Sequence, residues 1–119
     1  MNDFYREEIL EHYRSPMNFG KLLKFNMSSR QLNPFCGDEI EIFVKFNKNL
    51  IKEIGFLGKG CAISIASASL LTEYAKNKTK DQLIKLREKD ILSLLGIELS
   101  ETRKKCAMLP FFVLKDCLK

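Results

Sequence analysis

A chain of 119 residues is the size of one domain and can bury a hydrophobic core without disulfide or metal staples. Its 45% hydrophobic and 29% charged residues are ordinary for a soluble globular protein, and no apolar run approaches the roughly 20 residues of a membrane span. The net charge of +5 does not indicate nucleic-acid binding, because the basic residues are interleaved with Asp and Glu and accompany no recognised motif.

The first eight residues are polar and acidic, which is not the pattern of a secretory signal. We therefore expect a cytoplasmic protein in a reducing environment. There, cysteines are more often thiols or metal ligands than disulfides. The four cysteines are Cys36, Cys61, Cys106 and Cys117.

Residues 3–14 are predicted to form an amphipathic helix. Its apolar stripe comprises Tyr5, Ile9, Leu10 and Tyr13. Pro16 ends the helix, because proline cannot continue the backbone hydrogen-bond ladder. His12, the only histidine, lies on this helix. We expect it to be a surface or packing residue rather than a metal ligand.

A hairpin is predicted over residues 38–57. Residues 38–46 alternate between apolar and polar, residues 47–49 have turn chemistry, and residues 50–57 form the return strand. Residues 21–32 are weakly extended and are predicted to supply an edge strand. Because Cys36 precedes one strand of the hairpin and Cys61 follows the other, the antiparallel pairing brings these two cysteines together.

The turn over residues 33–38 reads Asn-Pro-Phe-Cys-Gly-Asp. Pro34 fixes its own φ, and Gly37 can adopt a positive φ without steric cost. Such a turn can aim the Cys36 thiol and the Asp38 carboxylate at a common point.

Gly58 and Gly60 frame a corner before Cys61, and residues 62–71 are predicted to be helical. Small residues recur along this helix at positions 62, 66 and 69, so it can press closely against another element. Cys61 would lie in its first turn, where free N–H groups and the helix dipole stabilise a thiolate.

Three helices are predicted in the remainder. Thr79 and Gln82 form a capping box ahead of a short helix that reaches Leu86. Asp90 is predicted to cap a second short helix over residues 91–95, which Gly96 ends. These two helices carry no recognisable chemistry.

The third helix is predicted from about Arg103, with Cys106 near its start. Pro110 cannot donate a hydrogen bond to the Cys106 carbonyl, which loosens the helix there. Cys117 lies among apolar residues without a companion motif, so we expect it to serve packing only.

Three thiols and one carboxylate, from Cys36, Cys61, Cys106 and Asp38, suit a tetrahedral zinc ion or a small iron–sulfur cluster. Their combined negative charge calls for cations. Lysine and arginine at positions 59 and 103–105 could supply them and lower the thiol pKa values. The ligands come from three separate places and include a hard carboxylate, so an exchangeable site is expected rather than a closed structural one.

The chain resembles the iron–sulfur cluster assembly scaffold family, which comprises the IscU, NifU N-terminal domain and SufU proteins. The matching pieces are His12-Tyr13 with Pro16, Asn18 and Gly20, the turn from Asn33 to Asp38, the stretch from Gly58 through Ser64 to Ser69, and Arg103 to Ala107. The resemblance implies a single NifU-like domain over residues 1–119. It also implies an α+β fold (SufE/NifU-like) with a three-stranded antiparallel sheet packed by an N-terminal helix and several C-terminal helices.

The resemblance further implies that sulfur is accepted from a cysteine desulfurase, that iron is bound, and that the nascent cluster passes to acceptor apo-proteins. Cys36, Cys61 and Cys106 would be the cluster or zinc cysteines and Asp38 the labile fourth ligand. The cluster expected is a transient 2Fe–2S cluster. Cys36 and Cys106 are the candidate persulfide acceptors.

Two features distinguish branches of the family. Lys105 precedes the third cysteine, where IscU proteins have histidine, and this resembles SufU; yet the extra residues that SufU proteins carry between the second and third cysteines are missing. Residues 99–103 stand in place of the LPPVK segment of IscU proteins, which argues against a dedicated Hsp70-type chaperone.

Four hypotheses follow: a cluster scaffold, a zinc-bound sulfurtransferase partner of a desulfurase, a zinc-stabilised interaction module, and a cysteine hydrolase. The hydrolase is disfavoured because the single histidine, His12, is on another element and cannot be paired with a cysteine from the sequence. A scaffold is favoured over a catalyst.

Overall fold

The computed structural model describes residues 3–34 and 36–119, the first three of them as backbone only. Five helices and three strands form within this part of the chain. Their order is α1 (Asp3–Arg14), β1 (Met27–Leu32), β2 (Glu39–Asn47), β3 (Leu50–Lys59), α2 (Ala62–Ala75), α3 (Lys80–Ile84), α4 (Glu88–Leu95) and α5 (Glu101–Cys117). The expected α+β architecture is confirmed.

The three strands form one antiparallel sheet in the order β1-β2-β3. The predicted hairpin is confirmed, with Lys48 carrying the positive φ of 59° in its turn. The predicted edge strand begins only at Met27, six residues later than the sequence suggested. Residues 21–26 instead belong to the connection that follows α1.

The core lies between one face of the sheet and helices α2 and α5. Alternate residues of β2 point into it and are fully buried, namely Ile40, Ile42 and Val44. Leu71 of α2 and Leu114 of α5 meet them from the helix side. Burying each of these side chains contributes about 1.5–3 kcal/mol, which makes this cluster the main source of stability.

The outer edge of β3 is paired with chain segments that are not strands. The N–H of Phe56 donates to the Asn18 carbonyl at 2.9 Å, and the N–H of Gly20 donates to the Phe56 carbonyl at 2.8 Å. A Cβ atom on Gly55 would lie 2.5 Å from the Gly20 carbonyl oxygen, so glycine is needed for this close approach. Further along β3, the N–H of Ile51 donates to the Lys78 carbonyl at 3.0 Å.

Helix α1 packs on α2 rather than on the sheet. Nδ1 of His12 lies 2.7 Å from Oγ of Ser69, so His12 is a packing residue, as predicted. Ile9 is buried as expected, but Tyr13 is 44% exposed and its predicted burial is wrong. Helical periodicity does not distinguish tyrosine from a core residue, because tyrosine has an apolar ring but also a hydroxyl group that is readily solvated. The predicted burial of the Tyr5 side chain lies outside what the structure describes.

The short helices differ partly from prediction. The Thr79 capping box is confirmed, with the Gln82 N–H donating to Thr79 Oγ1 at 3.1 Å, although α3 ends at Ile84. Helix α4 begins before Asp90, which is its third residue rather than its cap. Oδ2 of Asp90 accepts a 2.8 Å hydrogen bond from the N–H of Arg87, the actual N-cap residue. Gly96 ends α4 with a φ of 71°, as predicted.

Helix α5 begins at Glu101, two residues earlier than predicted, because the Ser100 hydroxyl caps it by accepting the Arg103 N–H at 3.3 Å. Cys106 is therefore in the second turn of the helix, and the expectation that it sits at the helix start is wrong. The helix continues through Pro110. Within residues 3–34 and 36–119, none of the helices combines the length and the apolarity that a bilayer crossing requires.

Cys117 serves packing, as predicted. It is fully buried near the end of α5, with its sulfur 3.8 Å from the Ile42 carbonyl oxygen. Burial raises the pKa of its thiol to about 12. The fourth cysteine is thus separate from the other three.

Candidate metal centre

The loop that carries Cys36 is closed by two backbone hydrogen bonds. The Gly37 N–H donates to the Asn33 carbonyl and the Asn33 N–H donates to the Asp38 carbonyl, both at 2.8 Å. Gly37 has the positive φ that the sequence predicted, at 75°. The loop turns the Cys36 thiol back on the following carboxylate, and Cys36 Sγ lies 3.0 Å from Oδ2 of Asp38.

Asp38 is the buried acid of the site, with only 1% of its surface exposed. Its Oδ1 accepts a 2.8 Å hydrogen bond from the N–H of Cys61. Burial alone would raise the pKa of this carboxyl, but hydrogen bonds from the Cys36 thiol and the Cys61 N–H outweigh it and hold the pKa below its usual range. Asp38 is therefore ionised at neutral pH, with Oδ2 facing the thiols.

Cys61 is the N-cap residue of α2, one position before the first turn in which the sequence placed it. Its sulfur accepts the Ser64 N–H at 3.5 Å and lies 3.5 Å from Oδ2 of Asp38. The side chain is partly exposed. The Cys61 sulfur therefore lies between the N-terminus of α2 and the Asp38 carboxylate.

Cys106 reaches the site from α5 and is 3% exposed. Its sulfur lies 3.8 Å from the sulfur of Cys36. Burial, together with hydrogen bonding to Asp38, raises the pKa of the Cys106 thiol well above its usual range. The sequence predicted that neighbouring basic residues would lower thiol pKa values; for Cys106 this is wrong, because desolvation of a buried sulfur dominates.

The distances suit one tetrahedral metal ion. The ligand atoms of Cys36, Asp38 and Cys106 all lie within 4.8 Å of one another. Two thiolates bound to one zinc ion at about 2.3 Å in tetrahedral geometry lie roughly 3.8 Å apart, and the Cys36–Cys106 separation is 3.8 Å. Cys61 adjoins this group: its sulfur lies 3.5 Å from Oδ2 of Asp38 and also interacts with the Cys106 thiol.

The group opens to solvent on the Cys36 side. Cys36 is exposed, and a cavity of about 270 Å³ in front of it is lined by Asn33, Cys36, Thr102 and Lys105. Lys105 is exposed as well. The site therefore presents the exposed Cys36 sulfur in a cavity that Lys105 also lines, with the buried Cys106 sulfur behind it.

Three residues that the sequence did not identify as ligands also shape the site. Gly60, with a φ of 144°, leaves the space that the Asp38 carboxylate fills. Ser64 donates its N–H to the Cys61 sulfur. Ser67 donates its hydroxyl to the Ala107 carbonyl at 2.6 Å, beside Cys106. The small residues on α2 signalled close packing, but no local pattern named their partners.

Comparison with known proteins places these features in a family. The model of the NifU-like N-terminal domain matches residues 4–119. Iron-sulfur cluster assembly scaffold protein IscU 1 of Archaeoglobus fulgidus is 35% identical to this chain over 92 residues, which cover 77% of this chain and 60% of that protein. Zinc-dependent sulfurtransferase SufU of Bacillus subtilis is 30% identical over 132 aligned residues, covering 97% and 89%.

The fold is also that of a solved relative. A crystal structure of a candidate iron–sulfur cluster assembly scaffold protein for the SUF system, FiSufU from Fervidobacterium islandicum, superposes with a TM-score of 0.81 at 26% identity over 95% of both chains. The matched part of this chain spans only 60% of the length of the Archaeoglobus protein. From the match over nearly its whole length, the chain belongs to the NifU-like N-terminal domain family.

Proposed function

We propose that this protein is a scaffold for iron–sulfur cluster assembly. It accepts sulfur from a cysteine desulfurase, binds iron, and passes a transient 2Fe–2S cluster to acceptor apo-proteins. Cys36, Asp38, Cys61 and Cys106 are its proposed ligands. The observation that carries this proposal is the group of Cys36, Asp38 and Cys106 within 4.8 Å of one another, open to solvent at Cys36.

The donor set favours a cargo that can leave. Three of the proposed ligands are soft sulfurs. The carboxylate is a hard ligand and binds iron or zinc more weakly than the thiolates do. One oxygen of Asp38 is already held by the Cys61 N–H, so only Oδ2 is free to contact the cargo. Asp38 would then be the ligand released first when the cluster is transferred.

Sulfur is proposed to enter at Cys36. Its thiolate attacks the outer sulfur of the desulfurase persulfide, a new sulfur–sulfur bond forms on Cys36, and the desulfurase cysteine leaves as a thiolate. Cys36 is exposed, whereas Cys106 is 3% exposed and out of direct reach. Cys106 lies 3.8 Å behind Cys36 and can take the outer sulfur from it by a second exchange once the Cys106 thiol has lost its proton, with the Cys36 thiolate as the leaving group.

Anaerobic reconstitution tests the scaffold. Protein incubated with ferrous iron, cysteine and a cysteine desulfurase should develop sulfur-to-iron charge-transfer absorption and bind stoichiometric iron and sulfide. Cys106→Ala should abolish the absorption, because Cys106 lies with Cys36 and Asp38 in the proposed site. Cys117→Ala is the matched control: Cys117 is also a buried cysteine of α5 but lies outside that site, so the absorption should remain. Wild-type protein that stays colourless while retaining one tightly bound zinc ion would reject the scaffold.

A zinc-bound sulfurtransferase is the second candidate. It is favoured by Lys105 before Cys106 and by the likeness to the Bacillus protein named as a zinc-dependent sulfurtransferase. Zinc would hold the thiolates of the site, and Cys36 would be the sulfur acceptor. Zinc-loaded protein should then stimulate desulfurase turnover, and Cys36→Ser should remove the stimulation. Stimulation that survives Cys36→Ser would reject Cys36 as the acceptor.

The proposed function also includes a cellular compartment and a set of partners. Residues 1–119 act as one domain, in a reducing cytoplasm where the thiols stay available for sulfur and metal. The proposed partners are a cysteine desulfurase and acceptor apo-proteins, without nucleic acid, membrane or a dedicated Hsp70-type chaperone.

A further inference from the structure

We propose that Ser67 is a positioning residue of the metal site, because its hydroxyl sets where α5 holds the Cys106 thiol. The inference rests on the proposed function and deepens it. Ser67 does not touch the ligand atoms. It acts through the backbone of the residue next to Cys106.

The contact is short and buried. Ser67 Oγ donates to the Ala107 carbonyl oxygen at 2.6 Å, between residues 40 positions apart in the chain. Ser67 is 2% exposed and Ala107 is fully buried. Water therefore does not compete for this hydrogen bond, and losing the hydroxyl leaves nothing to replace it.

Helix α5 needs an external tether at this point. Pro110 has no N–H, so the helical hydrogen bond that would hold the Cys106 carbonyl is missing. A helix with such a gap bends easily there. The Ser67 hydrogen bond fixes α5 one residue beyond Cys106, within the stretch that Pro110 weakens.

Helix α2 is the rigid reference for this tether. Its N-cap residue, Cys61, stands six residues before Ser67, which is about 9 Å along the helix axis. The N–H of Cys61 holds Asp38, and Oδ2 of Asp38 holds Cys36. The bond from Ser67 to Ala107 therefore sets Cys106 against the other three candidate ligands, and it maintains the 3.8 Å separation of the Cys36 and Cys106 sulfurs.

Cobalt binding separates positioning from stability. Purified protein is stripped of metal and titrated anaerobically with Co²⁺ alone, and the intensity of sulfur-to-cobalt charge-transfer absorption reports how many thiolates bind. Ser67→Ala should weaken Co²⁺ binding by about tenfold or more and lower that intensity, as expected when the partner that orients a ligand is lost.

The matched control is Ser69→Ala. Ser69 is also a fully buried serine of α2, but its hydroxyl meets Nδ1 of His12 at 2.7 Å and the Met17 N–H at 2.8 Å, away from α5. It should lower the urea midpoint as Ser67→Ala does, while Co²⁺ affinity and band intensity stay within about twofold of wild type. Equal effects of the two variants on Co²⁺ binding would overturn the positioning role.

A second pair of variants covers the case in which Ser67→Ala does not fold. Thr and Val have nearly the same shape and differ in the hydroxyl group, so any overpacking at position 67 is common to both. Ser67→Thr should bind Co²⁺ more tightly than Ser67→Val by the same factor of about ten. Equal affinities overturn the inference alone, whereas wild-type protein that binds no Co²⁺ through thiolates rejects the proposed metal site itself.

Discussion

The Asp38 carboxylate occupies the space that a side chain at Gly60 would need: a Cβ atom on Gly60 would overlap the carboxylate and lie only 2.7 Å from its Cγ. Any side chain at position 60 must therefore push Asp38 away from the Cys61 N–H. Gly60→Ala should lower the free energy of unfolding by roughly 2–4 kcal/mol, from backbone strain at φ 144° and a lost buried hydrogen bond. It should also weaken Co²⁺ binding. Urea denaturation and Co²⁺ titration measure both effects.

Gly37→Ala is the control for this substitution. Gly37 also has a positive φ, 75°, but a Cβ atom there would meet nothing within 4 Å. Its cost should be limited to backbone strain of roughly 1–2 kcal/mol. If Gly37→Ala is as damaging as Gly60→Ala, the overlap with Asp38 is not the deciding effect.

The apo protein should lose stability in acid partly through Asp38. The pKa of this carboxyl is lower in the folded protein than its ordinary value, so its contribution is complete above the unfolded pKa, about 3.9, and is lost as pH falls through the folded pKa. Urea midpoints in a chelator between pH 6 and 3, taken for wild type and Asp38→Asn, measure it. The wild type should show the steeper fall below about pH 4. Parallel curves would contradict the prediction.

Zinc binding should release a proton from Cys106. Its pKa is raised by burial, so the thiol is protonated in the apo protein at neutral pH, whereas a metal binds the thiolate. The apparent affinity should therefore rise with pH across the neutral range. Calorimetry in two buffers of different ionisation enthalpy counts the protons. Cys106→Ala should release about one fewer than wild type; equal proton release would show that Cys106 is not a ligand.

Cys117→Ala should affect folding and not metal binding. The side chain is fully buried beside Ile42, and removing its sulfur should lower the free energy of unfolding by roughly 1 kcal/mol. The loss should be the same with zinc and with chelator, as measured by urea denaturation. For Cys106→Ala, by contrast, the stabilisation that zinc confers should disappear. A zinc-dependent loss in Cys117→Ala would place the fourth cysteine in the site.

Local signals in the sequence were sufficient for the hairpin, the Cys36 turn and the α2 start. Alternation over residues 38–46 defines a strand whichever way the chain continues, and Gly37 has the positive φ that its position demanded. Antiparallel pairing brings the start of β2 next to the end of β3. The approach of Cys61 to Asp38 therefore also followed from local topology.

Helix starts and long-range contacts were harder to predict. The predicted start of helix α5 was too late because its first turn, after Ser100, carries no apolar residue. Asp90 was predicted to be a cap because aspartate is favourable both at the N-cap and two to three residues further into the helix. The hydrogen bonds from Ser67 to Ala107 and between His12 and Ser69 span 40 and 57 positions. Such contacts depend on how helices pack, and no local pattern encodes that.

The hydrogen bonds at Phe56 and Ile51 on the outer edge of β3 protect the protein against edge-to-edge aggregation. Residues 18–20 take the outward N–H and carbonyl of Phe56, and residues 77–78 take those of Ile51. A foreign strand arriving at that border finds these groups already engaged, so cross-chain sheet growth is blocked there. Under the proposed function, the protein can thus present the exposed Cys36 thiol to a sulfur donor and to acceptor proteins without offering this strand as a seed for fibrils.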